Sequence, residues 1–269
     1  MLGIGSWTFA WAVGVPGIPP ERPLTPLGLL DKAAELGVHV LQVCDNLPLA
    51  RLSEKELSAF QHHAARLGTK IEVGTRGISY DNLRTYRQLA QRLHSRILRV
   101  VIDTADHRPA PGEIVSALKG IIGEFEAADV VLAIENHDRF KSQTLAGIIA
   151  DVNSPALGIC LDVFNSLAAL EGPEVVVSTL APWTVNLHIK DVVVRRNNAN
   201  MGFVVEGRPV GQGQLDVPWV LQKVKDGGRQ FNTIIEQWPA AESSLEATIA
   251  KEAEWAAQGV RYMRQFIHD

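Results

Sequence analysis

Cysteine and long apolar runs are both scarce in this chain. Only Cys44 and Cys160 occur among the 269 residues, and both lie in apolar segments, which favours buried thiols in a reducing compartment over a disulfide framework. No run approaches the roughly 18 apolar residues of a membrane-spanning helix. The segment MLGIGSWTF lacks the basic residues of a signal peptide. We therefore expect a cytoplasmic protein that has no membrane partner.

A surplus of positive charge is also missing. The formal net charge is −4, which is unfavourable for binding the phosphate backbone of a nucleic acid. A phosphate loop is absent as well, because no G-x-x-x-x-G-K-[ST] surrounds Gly211-x-Gly213. Hydrophobic residues make up 46% of the chain, as in a globular protein with a large core. The composition predicts no nucleic-acid partner.

Strand-like and helix-like segments alternate from end to end. Apolar runs such as RILRVVID (96–103) are typical of parallel strands covered on both faces, and amphipathic segments such as SEKELSAFQHHAARLG (53–68) lie between them. Eight such pairs predict an α/β protein, a (β/α)8 TIM barrel forming a single domain over 1–269. A doubly wound open sheet is the alternative, but its G-x-G-x-x-G first turn is absent.

Two long segments, 8–23 and 192–216, follow predicted strands and are interpreted as loops. Loops of this length in compact domains are often functional. In a barrel, the loops that follow strands gather at the catalytic face. We expect both segments to border one pocket; a surface excursion is the alternative for each.

Four of the apolar runs each end in a residue that can bind a metal. These residues are Glu135, Asp162, His188 and Glu236. Burying a charge without a partner is costly, so one shared divalent cation would explain all of them together. A site of three carboxylates and one imidazole favours Mn²⁺, Mg²⁺ or Co²⁺ over Zn²⁺. The alternative is four independent buried polar groups, each with its own hydrogen bonds.

The order of these pieces resembles the xylose isomerase-like TIM-barrel superfamily, the sugar isomerase and epimerase group that includes the endonuclease IV relatives. The matching pieces are Glu135-Asn136, Leu161-Asp162, the H-x-K-D of His188 to Asp191, the G-x-G-x-x-D of Gly211 to Asp216, and Glu236. The resemblance spans the whole chain. It implies one divalent metal held by the four residues above, with Glu135 and Glu236 as catalytic base and acid. The implied reaction is isomerisation or epimerisation of a small keto-sugar through a metal-stabilised enediolate.

Departures from the family pattern keep other reactions open. The ketose epimerases have D-x-x-H after strand six, where this chain has Asn165, and an Arg where it has Val194. The endonuclease IV relatives need three zinc ions and more His ligands than this chain supplies. The segments GIGSWTF and LQVCDNLPL are similar to a branch that decarboxylates 3-keto sugar acids such as 3-oxo-isoapionate. A metal-dependent lyase is therefore the first alternative, and a non-catalytic sugar-binding barrel is the second.

Other residues near strand ends are candidate contacts to a small carbohydrate substrate. They are Trp7, Asn46, His137, Asn165, Lys190, Asp191, Arg208 and Trp238. Trp7 and Trp238 end strands that adjoin in a closed barrel and could form one apolar wall, and Lys190 or Arg208 could bind a substrate carboxylate. Each residue also has a purely structural alternative. Because members of the resembled family often pair, a homodimer is a further expectation.

Overall fold

Eight parallel strands close into a barrel in the computed structural model, which describes residues 1–268. They follow one another around the barrel in chain order, and the last pairs with the first through Ile4 and Ile235. The barrel strands are β1 (Leu2–Gly5), β2 (Val40–Val43), β3 (Lys70–Arg76), β4 (Ile97–Val101), β5 (Val131–Glu135), β6 (Leu157–Asp162), β7 (Thr184–Ile189) and β10 (Asn232–Ile235). The predicted (β/α)8 TIM barrel is confirmed.

The segment after β7 differs from the predicted long loop, because much of it is an antiparallel hairpin. Strands β8 (Asp191–Arg196) and β9 (Phe203–Arg208) pair along their whole length. The turn between them includes Asn200 and Gly202 with positive φ, a backbone region that Gly and Asn tolerate best. No turn residue marks the boundary between β7 and β8, because a single residue separates the two strands.

Helices connect the barrel strands and cover the barrel. They are α1 (Ala10–Val13), α2 (Pro26–Glu35), α3 (Glu54–Leu67), α4 (Tyr80–Arg92), α5 (Pro111–Ala128), α6 (Ser142–Val152), α7 (Pro173–Leu180), α8 (Val217–Asp226) and α9 (Leu245–Met263). A capping box of Ser53 and Glu56 begins α3. Within residues 1–268, no helix is both long enough and apolar enough to cross a membrane.

The connection between β6 and β7 contains two separate helical segments. A 3-10 helix (Asn165–Ala169) comes first, and α7 begins only at Pro173. Proline is favoured at the first position of a helix, because an N–H there would have no partner within the helix and the ring already holds a helical φ. Leu170 adopts a left-handed φ of 58°, which ends the first turn.

The inside of the barrel is polar around the middle of its strands. Gln42 on β2 donates a hydrogen bond to Asn186 on β7, two strands that are not neighbours, so both side chains cross the barrel interior. Because side chains alternate along a strand, Leu41 and Val43 face outward, where they join the apolar core beneath the helices. The layer of helices therefore supplies the main apolar packing and leaves the interior for polar groups.

A buried carboxylate on α9 holds the segment that follows β1. Glu252 is fully buried, and its Oε1 and Oε2 accept the backbone N–H groups of Trp11 at 2.9 Å and of Ala12 at 3.0 Å. Burial raises the pKa of Glu252 to about 7, although the two N–H donors oppose this effect. The segment 8–23 is thus fixed to α9 at its first helical turn.

We expect this carboxyl group to make the stability of the fold depend on pH. A pKa that is higher in the folded state than in the unfolded state stabilises the fold below about pH 4.5, and this contribution is lost as the pH rises to about 7. The loss is about 3 kcal/mol at about 1.4 kcal/mol per pKa unit. Urea unfolding at several pH values measures the free energy of unfolding. This free energy should fall between about pH 4.5 and about pH 7 in the native chain, and Glu252→Gln should not show this fall.

The exposed neighbour Glu254 supplies the matched control. Glu254→Gln should keep the pH dependence of the native chain. The same slope in all three proteins would show that Glu252 titrates normally in the fold.

Candidate metal centre

Four side chains that can bind a metal converge at the carboxyl end of the barrel. Glu135 and Asp162 end β5 and β6, His188 is the next-to-last residue of β7, and Glu236 follows β10 directly. These strands are neighbours in the barrel. We call Glu135, Asp162, His188 and Glu236 the four-residue cluster. All four are buried, with Glu236 the most exposed at 6%.

The imidazole of His188 lies at the middle of the cluster. Its Nδ1 is 3.1 Å from Glu236 Oε1 and 3.5 Å from Glu135 Oε2. The same atom is 3.9 Å from Asp162 Oδ2. One nitrogen therefore faces a carboxylate oxygen from each of three different strand ends.

A β-bulge aligns Asp162 with His188. Ile159 pairs with Thr184 but Cys160 pairs with Asn186, so Val185 is an extra residue in β7. Because side chains alternate along a strand, a ladder without this bulge would place Asp162 opposite Leu187, which faces away from the interior. The bulge thus brings a carboxylate and an imidazole level with each other.

Asn136 connects the ends of β5 and β6. Its side-chain N–H donates to the carbonyl of Asp162 at 2.8 Å, and its Oδ1 accepts the N–H of Asp162 at 2.7 Å. Asp162 Oδ1 in turn accepts the backbone N–H groups of Phe164 and Asn165, both at 2.9 Å. These bonds hold one oxygen of Asp162 and leave Oδ2 directed at the cluster.

Two buried cations keep the glutamates ionised. Burial favours the neutral form of Glu135, but the guanidinium of Arg99 outweighs it and lowers the pKa of Glu135. Burial acts likewise on Glu236, but the adjacent ring of His188 and the ammonium of Lys190 outweigh it, so the pKa of Glu236 is also lowered. Both carboxylates are therefore weak bases in this environment.

Lys190 lies within the cluster as a charged ammonium. Its Nζ is 2.7 Å from Asp162 Oδ2 and 2.9 Å from Glu236 Oε2. Burial alone would lower the pKa of Lys190, but these two carboxylates raise it above its ordinary value. The residue therefore contributes a fixed positive charge.

The donor set fits a divalent cation. Among residues 1–268, His188 Nδ1 is buried and has no hydrogen-bond partner, which is costly unless another group binds it. The three cluster carboxylates and the ammonium of Lys190 together carry two net negative charges. Arg99 is left out of this sum, because its guanidinium is also paired with the carboxylate of Asp45 at 2.7 Å. The prevalence of oxygen ligands suits Mn²⁺ or Mg²⁺. Cys160 lies nearby, but burial raises the pKa of its thiol well above the ordinary value, which makes it a poor ligand.

Two cavities flank the cluster. One, of about 270 Å³, is lined by Glu236 and by the aromatic rings of Trp7, Trp11 and Trp238. The other, of about 400 Å³, is lined by Glu135 together with polar residues. These polar residues include Arg76, Asp103, Arg108 and His137. An elongated substrate could therefore lie across the cluster with one apolar end and one polar end.

Five of the predicted substrate contacts lie at this site. Trp7 and Trp238 share a cavity wall, and Lys190 Nζ is 4.6 Å from the ring centroid of Trp238. The indole N–H of Trp7 is buried without a hydrogen-bond partner in residues 1–268. His137 lines the polar cavity. Asn165 donates to Glu135 Oε1 at 2.8 Å and accepts from Lys190 at 3.4 Å.

The other three predicted contacts have structural partners. Asn46 exchanges hydrogen bonds with Ser6 at 2.5 and 3.1 Å, which ties the ends of β1 and β2 together. Both oxygens of Asp191 accept backbone N–H groups, including those of Gly211 and Gly213, so Asp191 holds the loop after β9. Arg208 pairs with Glu206 at 2.9 Å on the hairpin. These partners satisfy Asp191 without a ligand.

Three interior residues that support the cluster were not predicted from the sequence. Arg99 contacts Glu135 and Asp45, and Gln42 accepts a hydrogen bond from His188 Nε2 at 2.8 Å. Glu72 is buried beneath them and binds Gln42. Gln42, Glu72 and Arg99 each lie in the middle of an apolar strand. A lone polar residue at such a position indicates a side chain that faces the barrel interior, and this pattern could have identified all three.

Comparison with known proteins identifies the relatives of this chain. A family model described as a xylose isomerase-like TIM barrel matches residues 30–266. The chain is 34% identical to the 3-oxo-isoapionate decarboxylase of Pectobacterium atrosepticum over 97% of this chain and 94% of that protein.

Solved structures of low sequence identity have the same fold. A D-psicose 3-epimerase determined in the presence of D-fructose has a TM-score of 0.72 and 16% identity, with 98% of each chain covered. A xylose isomerase-like TIM-barrel protein from Mycobacterium smegmatis, in complex with magnesium, has a TM-score of 0.69 and 16% identity over 97% of this chain and 96% of that one. The fold, the extent of the family match and the full-length relative agree, and the chain belongs to the xylose isomerase-like TIM-barrel family.

Proposed function

We propose that this protein is a metal-dependent decarboxylase that acts on a 3-keto sugar acid of the 3-oxo-isoapionate type. The observation that carries this proposal is the relative of that name, which matches at 34% identity over nearly the whole of both chains. The epimerase structures, at 16% identity or less, support the fold rather than the reaction. Isomerisation or epimerisation of a keto-sugar is the second candidate.

The state of the two glutamates favours decarboxylation. Proton abstraction next to a carbonyl needs a carboxylate that is free to accept the proton and basic enough to do so. Both oxygens of Glu135 accept hydrogen bonds, from Arg99 and Asn165, and Glu236 Oε2 is paired with Lys190. A β-keto acid loses CO2 without a base, so a site with two restrained carboxylates suits that reaction.

The cluster residues would hold a divalent ion through Glu135, Asp162 and Glu236 oxygens and through His188 Nδ1. When bound, such an ion acts as a Lewis acid toward the keto oxygen and an adjacent hydroxyl of the substrate. Lys190 stays protonated and adds a second positive charge beside these atoms. The chain's own contribution is therefore a fixed, buried arrangement of charges that faces the carbonyl group.

We place the substrate carboxylate in the aromatic cavity and the hydroxyl groups in the polar cavity. An apolar wall of Trp7 and Trp238 is a poorer environment for a carboxylate than for neutral CO2, which favours loss of CO2. The C–C bond to the carboxylate breaks, its electron pair moves toward the ketone, and a proton from solvent replaces CO2 on that carbon. The unpaired indole N–H of Trp7 is available to orient one carboxylate oxygen.

One observation favours the second candidate. Glu135 borders the polar cavity and Glu236 borders the aromatic cavity, so the two carboxylates approach a substrate from different sides. Such a pair suits removal of a proton on one face and its return on the other. The two reactions therefore differ in whether the carbon skeleton remains intact.

A proton and carbon NMR assay in D2O should separate them. With Mn²⁺ or Mg²⁺ present, 3-oxo-isoapionate should release CO2 and take up deuterium at the vacated carbon, and chelation of the metal should stop the reaction. Asp162→Asn should be inactive, because it removes a cluster carboxylate. Asp226→Asn, at an exposed position, should have native activity.

Other results would assign other functions. Deuterium next to an intact carbonyl of a ketose, with no loss of CO2, would identify an isomerase or epimerase. Binding of the sugar acid without turnover, with metal bound, would identify a sugar-binding barrel.

We expect Lys190→Met to bind Mn²⁺ more tightly than the native chain. The substitution removes a positive charge that lies within 2.9 Å of two cluster oxygens. Two unit charges about 4 Å apart repel by about 1 kcal/mol even at the dielectric constant of water, so affinity should rise several-fold while decarboxylation slows. Calorimetric titration with Mn²⁺ measures the first effect and CO2 release the second.

Lys251→Met is the matched control, because the ion-pair partner of this ammonium is Glu242, at 2.6 Å, which does not belong to the four-residue cluster. Its Mn²⁺ affinity should equal that of the native chain. Weaker binding by Lys190→Met would instead mean that the ammonium organises the carboxylates for the cation.

A further inference from the structure

We infer that Gln42, anchored by the buried carboxylate of Glu72, is a positioning residue that fixes the ring tautomer of His188. The inference rests on the proposed metal centre, and it concerns residues below that centre in the barrel. Gln42 lies on β2 and Glu72 on β3, whereas His188 lies on β7. The contacts therefore run across the barrel interior.

Glu72 determines how the Gln42 amide is oriented. Three amide nitrogens donate to its two oxygens: Asn232 to Oε1 at 2.8 Å, and Gln42 and Asn186 to Oε2 at 3.0 and 2.7 Å. This pattern matches a carboxylate that only accepts hydrogen bonds. With Nε2 of Gln42 held by Glu72, the amide oxygen must point the other way, toward His188.

The oxygen of Gln42 then selects one tautomer of His188. His188 Nε2 lies 2.8 Å from Gln42 Oε1, and an amide oxygen can only accept. The proton of a neutral imidazole must therefore be on Nε2, which leaves the lone pair on Nδ1. The opposite tautomer would place two lone pairs in contact at a site where no water can separate them.

The selected lone pair faces the place where a cation would bind. Nδ1 is the buried ring atom without a hydrogen-bond partner in residues 1–268, and it lies 3.1 to 3.9 Å from the three cluster carboxylates. Hydrogen bonds to the second ring nitrogen orient metal-binding histidines and raise their basicity. The buried charge of Glu72 thus acts on the cluster through Gln42 without touching it.

We call the contacts from Glu72 through Gln42 to His188 the relay. Mn²⁺ titration of three variants tests it. Gln42→Met has a similar volume but no acceptor for His188, and its Mn²⁺ affinity should fall about 10- to 100-fold. The exchange Gln42→Glu with Glu72→Gln restores an acceptor at position 42 and should recover most of the affinity. Asn232→Ala removes a donor to Glu72 but leaves Gln42 in place, and it should bind Mn²⁺ like the native chain.

A second measurement uses the native protein. Under conditions where the ring is neutral, long-range ¹H–¹⁵N spectra of histidine-labelled, metal-free native protein should show a proton on Nε2 of His188 and none on Nδ1. The signal is assigned by its absence in His188→Gln. This readout reports the tautomer directly, which a merely structural role for Gln42 would not require.

The outcomes separate the relay from the metal centre. Native affinity in Gln42→Met, equal losses in Gln42→Met and Asn232→Ala, or a proton on Nδ1 of His188 would overturn the relay while the metal centre remained. Failure of the native chain to bind either Mn²⁺ or Mg²⁺ would overturn the proposed metal centre itself.

Discussion

Mutual repulsion of three buried carboxylates is the constraint on which this barrel depends. Glu135, Asp162 and Glu236 are almost completely buried at adjoining strand ends, where like charges would normally drive protonation. The barrel compensates with cations placed in its interior. Arg99 contacts Glu135, and Lys190 lies between the other two carboxylates. The barrel interior is therefore polar because it holds the cations that the cluster carboxylates require. The apolar packing lies instead between the strands and the surrounding helices.

Compensation by fixed cations has a chemical consequence. A carboxylate that is paired with Arg or Lys keeps its charge for metal binding but loses its strength as a base. The same cluster can therefore favour reactions that need a polarised carbonyl and no proton abstraction. In this chain the place where the ketose epimerases have a histidine is occupied by Asn165, which donates to Glu135 and further restrains it.

The fold and the cluster were predictable from the sequence because both follow from local patterns. Continuous Val and Ile runs indicate parallel strands, and a carboxylate at the end of such a run indicates an unusual partner. The β8–β9 hairpin was not predicted, since no turn residue separates Ile189 from Asp191 to mark the start of a new strand. The role of Gln42 was also hidden, because its contact with His188 joins residues 146 positions apart in the chain. Contacts of this kind depend on closure of the barrel, which no local pattern encodes.

The position of Lys190 links the fold to the choice of reaction. It comes two residues after His188 on the strand that carries the bulge, so the alternation that directs the imidazole inward also directs the ammonium inward. One strand thus supplies both the imidazole of the proposed metal centre and a competing cation. Family members that share the four cluster residues need not share a reaction, because the charges next to these residues decide whether each carboxylate can accept a proton. For this chain those charges, together with the two dissimilar cavities, argue for a site that activates a carbonyl group and releases CO2.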